Sequence, residues 1–255
     1  MRRALAIDEA SFGPDHPDVA VDLNNLAQLL KATNRLGDAE PLMRRALAID
    51  EASYGPDHPE VATRLSNLAA LLLATNRLGD AELTMRRALA IDEASFGPDH
   101  PKVAIRLNNL AQLLQATNRL GEAEPLMRRA LAIDEASYGP DHPDVARDLN
   151  NLAQLLQDTN RLGEAEPLMR RAVSILEQFR SATGHDHPNG SMFRENLAAL
   201  ETEIEAQKGG GPREPSPGQV QGGSPAAQRG APSPTTSPAS RSATGPWWRR
   251  FLGQK

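Results

Sequence analysis

Met1-Arg2-Arg3-Ala4-Leu5-Ala6-Ile7-Asp8-Glu9-Ala10-Ser11 opens the chain and returns in register at Met43, Met85 and Met127, and in degraded form at Met169. Between these marks run Gly13-Pro14-Asp15-His16-Pro17, then Leu23 to Leu30, then Asn34-Arg35-Leu36-Gly37, each recurring at the same 42-residue spacing. A fixed period of this size is the signature of stacked supersecondary units. Such units contact mainly their neighbours and build an extended surface, which favours a binding scaffold over a catalyst.

Each unit reads as two helices. Over about residues 17–33, Val19, Ala20, Leu23, Leu26, Ala27 and Leu30 recur at three- and four-residue steps and make one apolar face. Pro17 suits a first turn, where its missing N–H would be unpaired anyway, and Asp15 or His16 is the expected cap. Thr33-Asn34-Arg35 ends this helix, with Asn34 able to turn left-handed. A second helix over about residues 37–53 carries Ala39, Leu42, Met43, Ala46 and Leu47 on its apolar side. Pro41 is expected in its first turn, and Arg44, Arg45, Asp50 and Glu51 on its exposed side. Glu40 and Arg44 stand four apart in the favourable order.

The organisation expected is an all-α solenoid of antiparallel helix hairpins. It comprises an orphan helix over residues 2–11, four hairpins over about 17–180, and a closing helix over about 191–208. In the closing helix Phe193, Leu197, Leu200 and Ile204 face inward, and Glu195, Glu201, Glu205 and Lys208 outward, as a terminal cap requires. The N-terminal helix has no such cap, so missing upstream sequence or end-to-end self-association is expected there.

The spacing Leu23-x2-Leu26-Ala27-x2-Leu30, followed by Ala39-x3-Met43-x2-Ala46, resembles the tetratricopeptide repeat. The large aromatics and the glycine of that pattern are here Leu, Met and Ala, and the period is 42 rather than ~34. The longer unit, with its Gly-Pro-Asp-His-Pro connector, resembles the kinesin light chain type of repeat. The resemblance covers residues 1–208 and implies a right-handed superhelix whose first helices line a concave groove for a peptide or partner protein. No heavy-chain-binding coiled coil accompanies it, so the kinesin connection does not carry over.

Four near-copies allow a comparison within the chain. Across the units beginning at Met1, Met43, Met85 and Met127, 11 of 42 offsets differ, seven of them in the first helix and three in the second. The seven include Asp18/Glu60/Lys102/Asp144, Val21/Thr63/Ile105/Arg147, Asp22/Arg64/Arg106/Asp148 and Asn24/Ser66/Asn108/Asn150. The others are Gln28/Ala70/Gln112/Gln154, Lys31/Leu73/Gln115/Gln157 and Ala32/Ala74/Ala116/Asp158. All fall on the half of the helix opposite Leu23 and Leu30, as one stripe. Diversification of a recognition surface and neutral drift both account for it. Within the stripe Asn25 never changes, recurring as Asn67, Asn109 and Asn151, and as Asn196 if the last connector holds three extra residues.

The matching position in peptide-binding tetratricopeptide repeats carries an asparagine that bonds the ligand main chain, and an amide can pair with either peptide group. With helices roughly 8–10 Å apart and an extended chain rising about 3.3 Å per residue, each unit would meet every third ligand residue. The competing reading makes Asn25 a stacking residue that bonds a neighbouring helix. Leu29, also invariant, reads as packing between first helices. The candidate groove thus holds the asparagine row, Gln28, Gln112 and Gln154, and the cations Arg64, Lys102, Arg106 and Arg147. The cations of the middle units raise a ligand acidic at its centre, or simply a solvated face.

Other chemistry is sparse. The tail, 209–255, carries six cations against Glu214, a net of +5, so the body within a chain of −5 carries −10. That balance argues against nucleic acid as a partner. There is no cysteine, which excludes disulfide and thiolate chemistry and suits a reducing cytoplasm. No apolar run approaches the roughly 20 residues of a membrane span, and no secretory segment is legible. His16, His58, His100 and His142 lie one unit apart and cannot converge on a metal ion. His185 and His187 flank Asp186, but no positioned serine or phosphate loop completes a catalytic site. No enzyme activity, metal or cofactor is expected. The Pro/Gly/Ser-rich tail reads as a disordered linker. It ends in Trp247-Trp248-Arg249-Arg250-Phe251-Leu252, a motif open to weak membrane contact, to docking on another protein, or to no function. An alternative to the free scaffold is the sensor or regulatory arm of a larger signalling protein.

Overall fold

Each first helix is started by a histidine. In the computed structural model, which describes residues 1–209, His16 rather than Asp15 is the N-cap of α2 (Pro17–Ala32), and its Nδ1 accepts the Asp18 backbone N–H at 3.3 Å. His58, His100 and His142 do the same for α4 (Pro59–Ala74), α6 (Pro101–Ala116) and α8 (Pro143–Asp158). Each imidazole is held against the aromatic residue ending the preceding helix. Phe12, Tyr54, Phe96 and Tyr138 stack on these rings with centroids 4.6–4.9 Å apart. This explains why that offset varies only between Phe and Tyr. The chain reaches each cap through Gly13, Gly55, Gly97 or Gly139 at φ 88–91° and ψ 157–162°, a region essentially reserved for glycine.

Each first helix ends at Asn34, Asn76, Asn118 or Asn160, all left-handed at φ 58–60°. The next amide, Arg35 N–H, donates to the Leu30 carbonyl at 2.8 Å, a six-residue closure that satisfies an orphan carbonyl. The second helices follow as α3 (Leu36–Tyr54), α5 (Leu78–Phe96), α7 (Leu120–Tyr138) and α9 (Leu162–Thr183), with α1 (Arg2–Phe12) before them and α10 (Gly190–Gly209) after.

Two expectations are corrected here. Because α3 begins at Leu36, Pro41 is its sixth residue and lies beyond the first turn. It is exposed, so water can serve the carbonyl left without an amide partner. The three extra residues near the last connector belong instead to α9, which has 22 residues where α3, α5 and α7 have 19. The connector itself repeats as Gly184-His185-Asp186-His187-Pro188, with His187 Nδ1 accepting the Asn189 N–H at 3.2 Å.

Residues 1–202 form one unit, a right-handed superhelical solenoid of hairpins, all-α among the described residues. The core runs through it as a chain of like clusters: Val19, Ala20, Leu23, Ala46 and Ile49 recur as Val61, Ala62, Leu65, Ala88 and Ile91, and again one unit on. Ile49 is buried, whereas Leu42 and Leu47 are only half-buried. Alanines at both helix faces, such as Ala20, Ala27, Ala39 and Ala46, let the backbones approach closely. Phe193 and Leu200 of α10 are buried, and Phe193 closes the last cluster against Val173 and Leu176. A second unit, Glu203–Lys255, contributes the end of α10. The remaining tail and its Trp247–Leu252 motif lie outside the described residues. Among those described, no helix is long and apolar enough to cross a membrane.

Candidate partner-binding groove

Successive units are tied along two lines, with side chains of different length. On the second-helix side, Arg45 donates to Glu9 at 2.7 Å and to the Pro14 carbonyl at 2.8 Å. Arg87, Arg129 and Arg171 repeat both contacts one unit on. Arg77, Arg119 and Arg161 reach back to Glu40, Glu82 and Glu124 at 2.6–2.7 Å. The hydrogen bonds from Arg44 and Arg77 hold the Glu40 carboxyl below its ordinary range. On the first-helix side the bridges are short. Asn67 Nδ2 donates to Asn24 Oδ1 at 2.9 Å, Asn196 to Asn150 at 3.0 Å, and Asn108 to Asp148 at 2.7 Å. α4 and α6 also touch directly. Short amides thus bridge first helices, with Arg106 reaching Thr63 at 3.3 Å beside them, whereas Arg–Glu pairs bridge second helices.

The invariance of the second helix therefore has a structural cause: its Arg45 equivalents hold the preceding unit and its Glu51 equivalents the next. Asp50 is a correction. Assigned to the exposed side, it is 1% exposed, because α4 of the next unit covers it. Arg64 and Arg106, placed among the groove cations, are also buried. Their Nε atoms donate to Asp50 and Asp92 at 2.7 Å, so these guanidinium groups are neutralised inside the stack. Burial pushes the Asp50 carboxyl up, and Arg64 opposes it. Lys102 is exposed, with its ammonium 4.3 Å over the Phe96 ring. Arg147 is spent on Asp134, Asp144 and Asp148.

At the last joint Asp148 stands where Arg64 and Arg106 stand in the middle units. It is fully buried beside Asp134 and takes hydrogen bonds from Asn108 and Arg147. Burial first, then the Asp134 charge, outweighs Arg147 and pushes the Asp148 carboxyl up to about 7. Asp134 is raised too, again chiefly by burial. Sequence reasoning missed this joint, although one signal was present: Asp8, Asp50, Asp92 and Asp134 never vary while their partner offset alternates between Asp and Arg.

The rest of the stripe divides. Asn25 is exposed, Asn67, Asn109 and Asn196 are half-buried, and Asn151 is 9% exposed. Gln28, Gln112 and Gln154 are half-buried. Asn67 and Asn196 each give an amide hydrogen to stacking. Leu71, Leu113 and Leu155 are buried, whereas Leu29 is 50% exposed. The connector histidines cap helices, and no carboxylate–histidine group among the described residues is placed to hold a metal ion.

The family model for the tetratricopeptide repeat matches residues 1–52, 35–94, 84–136 and 107–178. None of the curated proteins matches the chain. Among solved structures, it is similar to the nearly identical TPR-like repeats of a protein from Podosopora anserina assigned as a kinesin light chain. That match has a TM-score of 0.63 at 22% identity, over 76% of this chain and 90% of the other. It is similar also to BtubC (BKLC) from P. vanneervenii, with a TM-score of 0.66 at 22% identity, over 87% of this chain and 94% of the other. At such identities the structural likeness speaks for the fold alone, whereas the family model, the 42-residue period and the capped hairpins agree on the lineage. The chain belongs to the tetratricopeptide repeat family.

Proposed function

We propose that the solenoid is a non-catalytic protein-binding scaffold that holds an extended partner segment along its first-helix groove. One observation carries this reading. On the first helices, Gln28, Gln112, Gln154 and Asn109 are half-buried and Asn25 is exposed, and none of these amides makes a side-chain hydrogen bond among the described residues. Polar groups left in this state are suited to a ligand main chain, since an amide both donates and accepts. Their spacing by unit meets about every third residue of an extended segment. A partner acidic at its centre loses its support, because Arg64 and Arg106 already face Asp50 and Asp92.

Partner capture with mass spectrometry tests the reading, using the full chain and a Gln28→Ala, Gln112→Ala, Gln154→Ala variant. These substitutions spare the Asn67–Asn24 and Asn196–Asn150 bridges, so the variant is expected to keep the melting temperature and lose partner recovery. Equal recovery by the folded variant ends the groove reading.

A further inference from the structure

We propose that the cleft between α2, the end of α3 and the start of α4 binds the ammonium or guanidinium group of a lysine or arginine side chain. This deepens the groove reading, on which it rests only for the claim that the side chain belongs to a partner segment. The cleft has a volume of about 280 Å³ and is walled by Asp18, Val21, Asp50, Tyr54, Glu60 and Arg64. That is below the roughly 300–1,000 Å³ of small-molecule sites, and suits one side chain.

Its chemistry is that of a cation receptor. Of its three carboxylates, Asp50 is matched by Arg64, the sole cation of the wall. The other two, Asp18 and Glu60, face no Lys or Arg among the described residues, and the histidine 3.5 Å from Asp18 already caps its backbone. Asp50, 1% exposed, keeps its Oδ1 without a hydrogen-bond partner. Tyr54 is 45% exposed, and its ring is held in place by stacking on His58 at 4.8 Å. A fixed aromatic face beside unmatched carboxylates attracts an organic cation both by charge and through the ring quadrupole.

The repeat supplies an internal comparison. One unit on, Phe96 replaces Tyr54 and Lys102 replaces Glu60. There the chain sets its own ammonium over the ring, 4.3 Å from the centroid. The same backbone that folds Lys102 onto Phe96 therefore presents, at Tyr54, the receptor with a carboxylate in the lysine's position. The net charge of −10 on residues 1–208 attracts a basic segment to this surface.

The test titrates the ¹⁵N-labelled full chain with a blocked pentapeptide holding one lysine among glycines and serines, and with its glutamate counterpart, followed by NMR. The lysine peptide is expected to shift the Tyr54, His58 and Glu60 amides, and the glutamate peptide to leave them unmoved. Glu60→Lys, which should fold its own ammonium over Tyr54, is expected to weaken the response by about tenfold or more. Lys102→Glu is expected to add a second response at Phe96 and His100. Equal shifts from both peptides, an undiminished response in Glu60→Lys, or no new response in Lys102→Glu overturns the proposal. The pentapeptide is too short to span the glutamine row. A Gln28→Ala, Gln112→Ala, Gln154→Ala variant that keeps full partner recovery while the lysine response persists would therefore sink the groove reading alone.

Discussion

Where α3 meets α4, a buried Asp50 faces Arg64 at 2.7 Å; where α7 meets α8, a buried Asp134 faces Asp148 instead. The backbones are equivalent and the burial is similar, yet one joint pairs opposite charges and the other two acids. The last joint survives by two compensations. Arg147 stands where the other units carry Val21, Thr63 and Ile105, and reaches both carboxylates at 3.1 and 3.3 Å. Asp148 also holds a proton more tightly than an ordinary carboxyl, because leaving it charged in the stack costs more than leaving it neutral. At the first joint Asp22 faces Asp8 with Val21 beside it, and no such arginine is present. There both acids are only half-buried, yet burial and the neighbouring Asp8 still push the Asp22 carboxyl up, and its Oδ2 is enclosed without a hydrogen-bond partner. Burial raises the acid at both joints, and the fully buried Asp148 is the one met by an arginine.

The sharpest way to break this comparison is Arg64→Ala, which leaves Asp50 buried without its cation. A loss of roughly 3–5 kcal/mol is expected in chemical denaturation near neutral pH. A variant as stable as the parent would show that the Asp50–Arg64 pair does not hold the joint. The opposite effect is expected from Asp148→Asn, which keeps the shape of the protonated acid permanently. Because the folded-state value of Asp148 lies above its unfolded value of 3.8, the folded chain binds the proton more tightly. This acid therefore costs stability progressively as pH rises from about 4 to about 7, with no further change above. Asp148→Asn should accordingly stabilise the chain by on the order of 2–4 kcal/mol at about pH 8, with the gain shrinking toward zero by about pH 4. A gain independent of pH would disprove the account of Asp148 as the proton-holding acid of this joint.

A smaller effect separates the two sides of the stack. Asn67→Ala, on the first-helix side, should cost about 1 kcal/mol through the lost bond to Asn24. Arg87→Ala, on the second-helix side, should cost less than about 1 kcal/mol, since its contacts to Glu51 are exposed and screened. A larger loss at Arg87 would make the Arg–Glu ladder, and not the short amide bridges, the determinant of stacking.

The hairpins were legible because their cues are local. His16-Pro17 starts a helix and Asn34 ends one using only residues within a few positions. The apolar face of α2 is buried as its periodicity predicts, and Asn196 continues the asparagine row despite the longer α9. Asp50 was misplaced for the same reason that these succeeded. Its helix turns it away from its own hairpin, and only the next unit buries it.

Taken alone, the residues determined the period, the caps, the two-helix unit and the absence of cysteine chemistry, all of which depend on composition or on neighbours along the chain. Only the stacked structure decided which face of each first helix stays open and which charges are neutralised across a joint. Only stacking, too, showed that the invariant arginines hold units together. Each of those outcomes depends on residues 14 to 46 positions apart meeting in space, and burial between units is a property of the pair that neither repeat carries by itself.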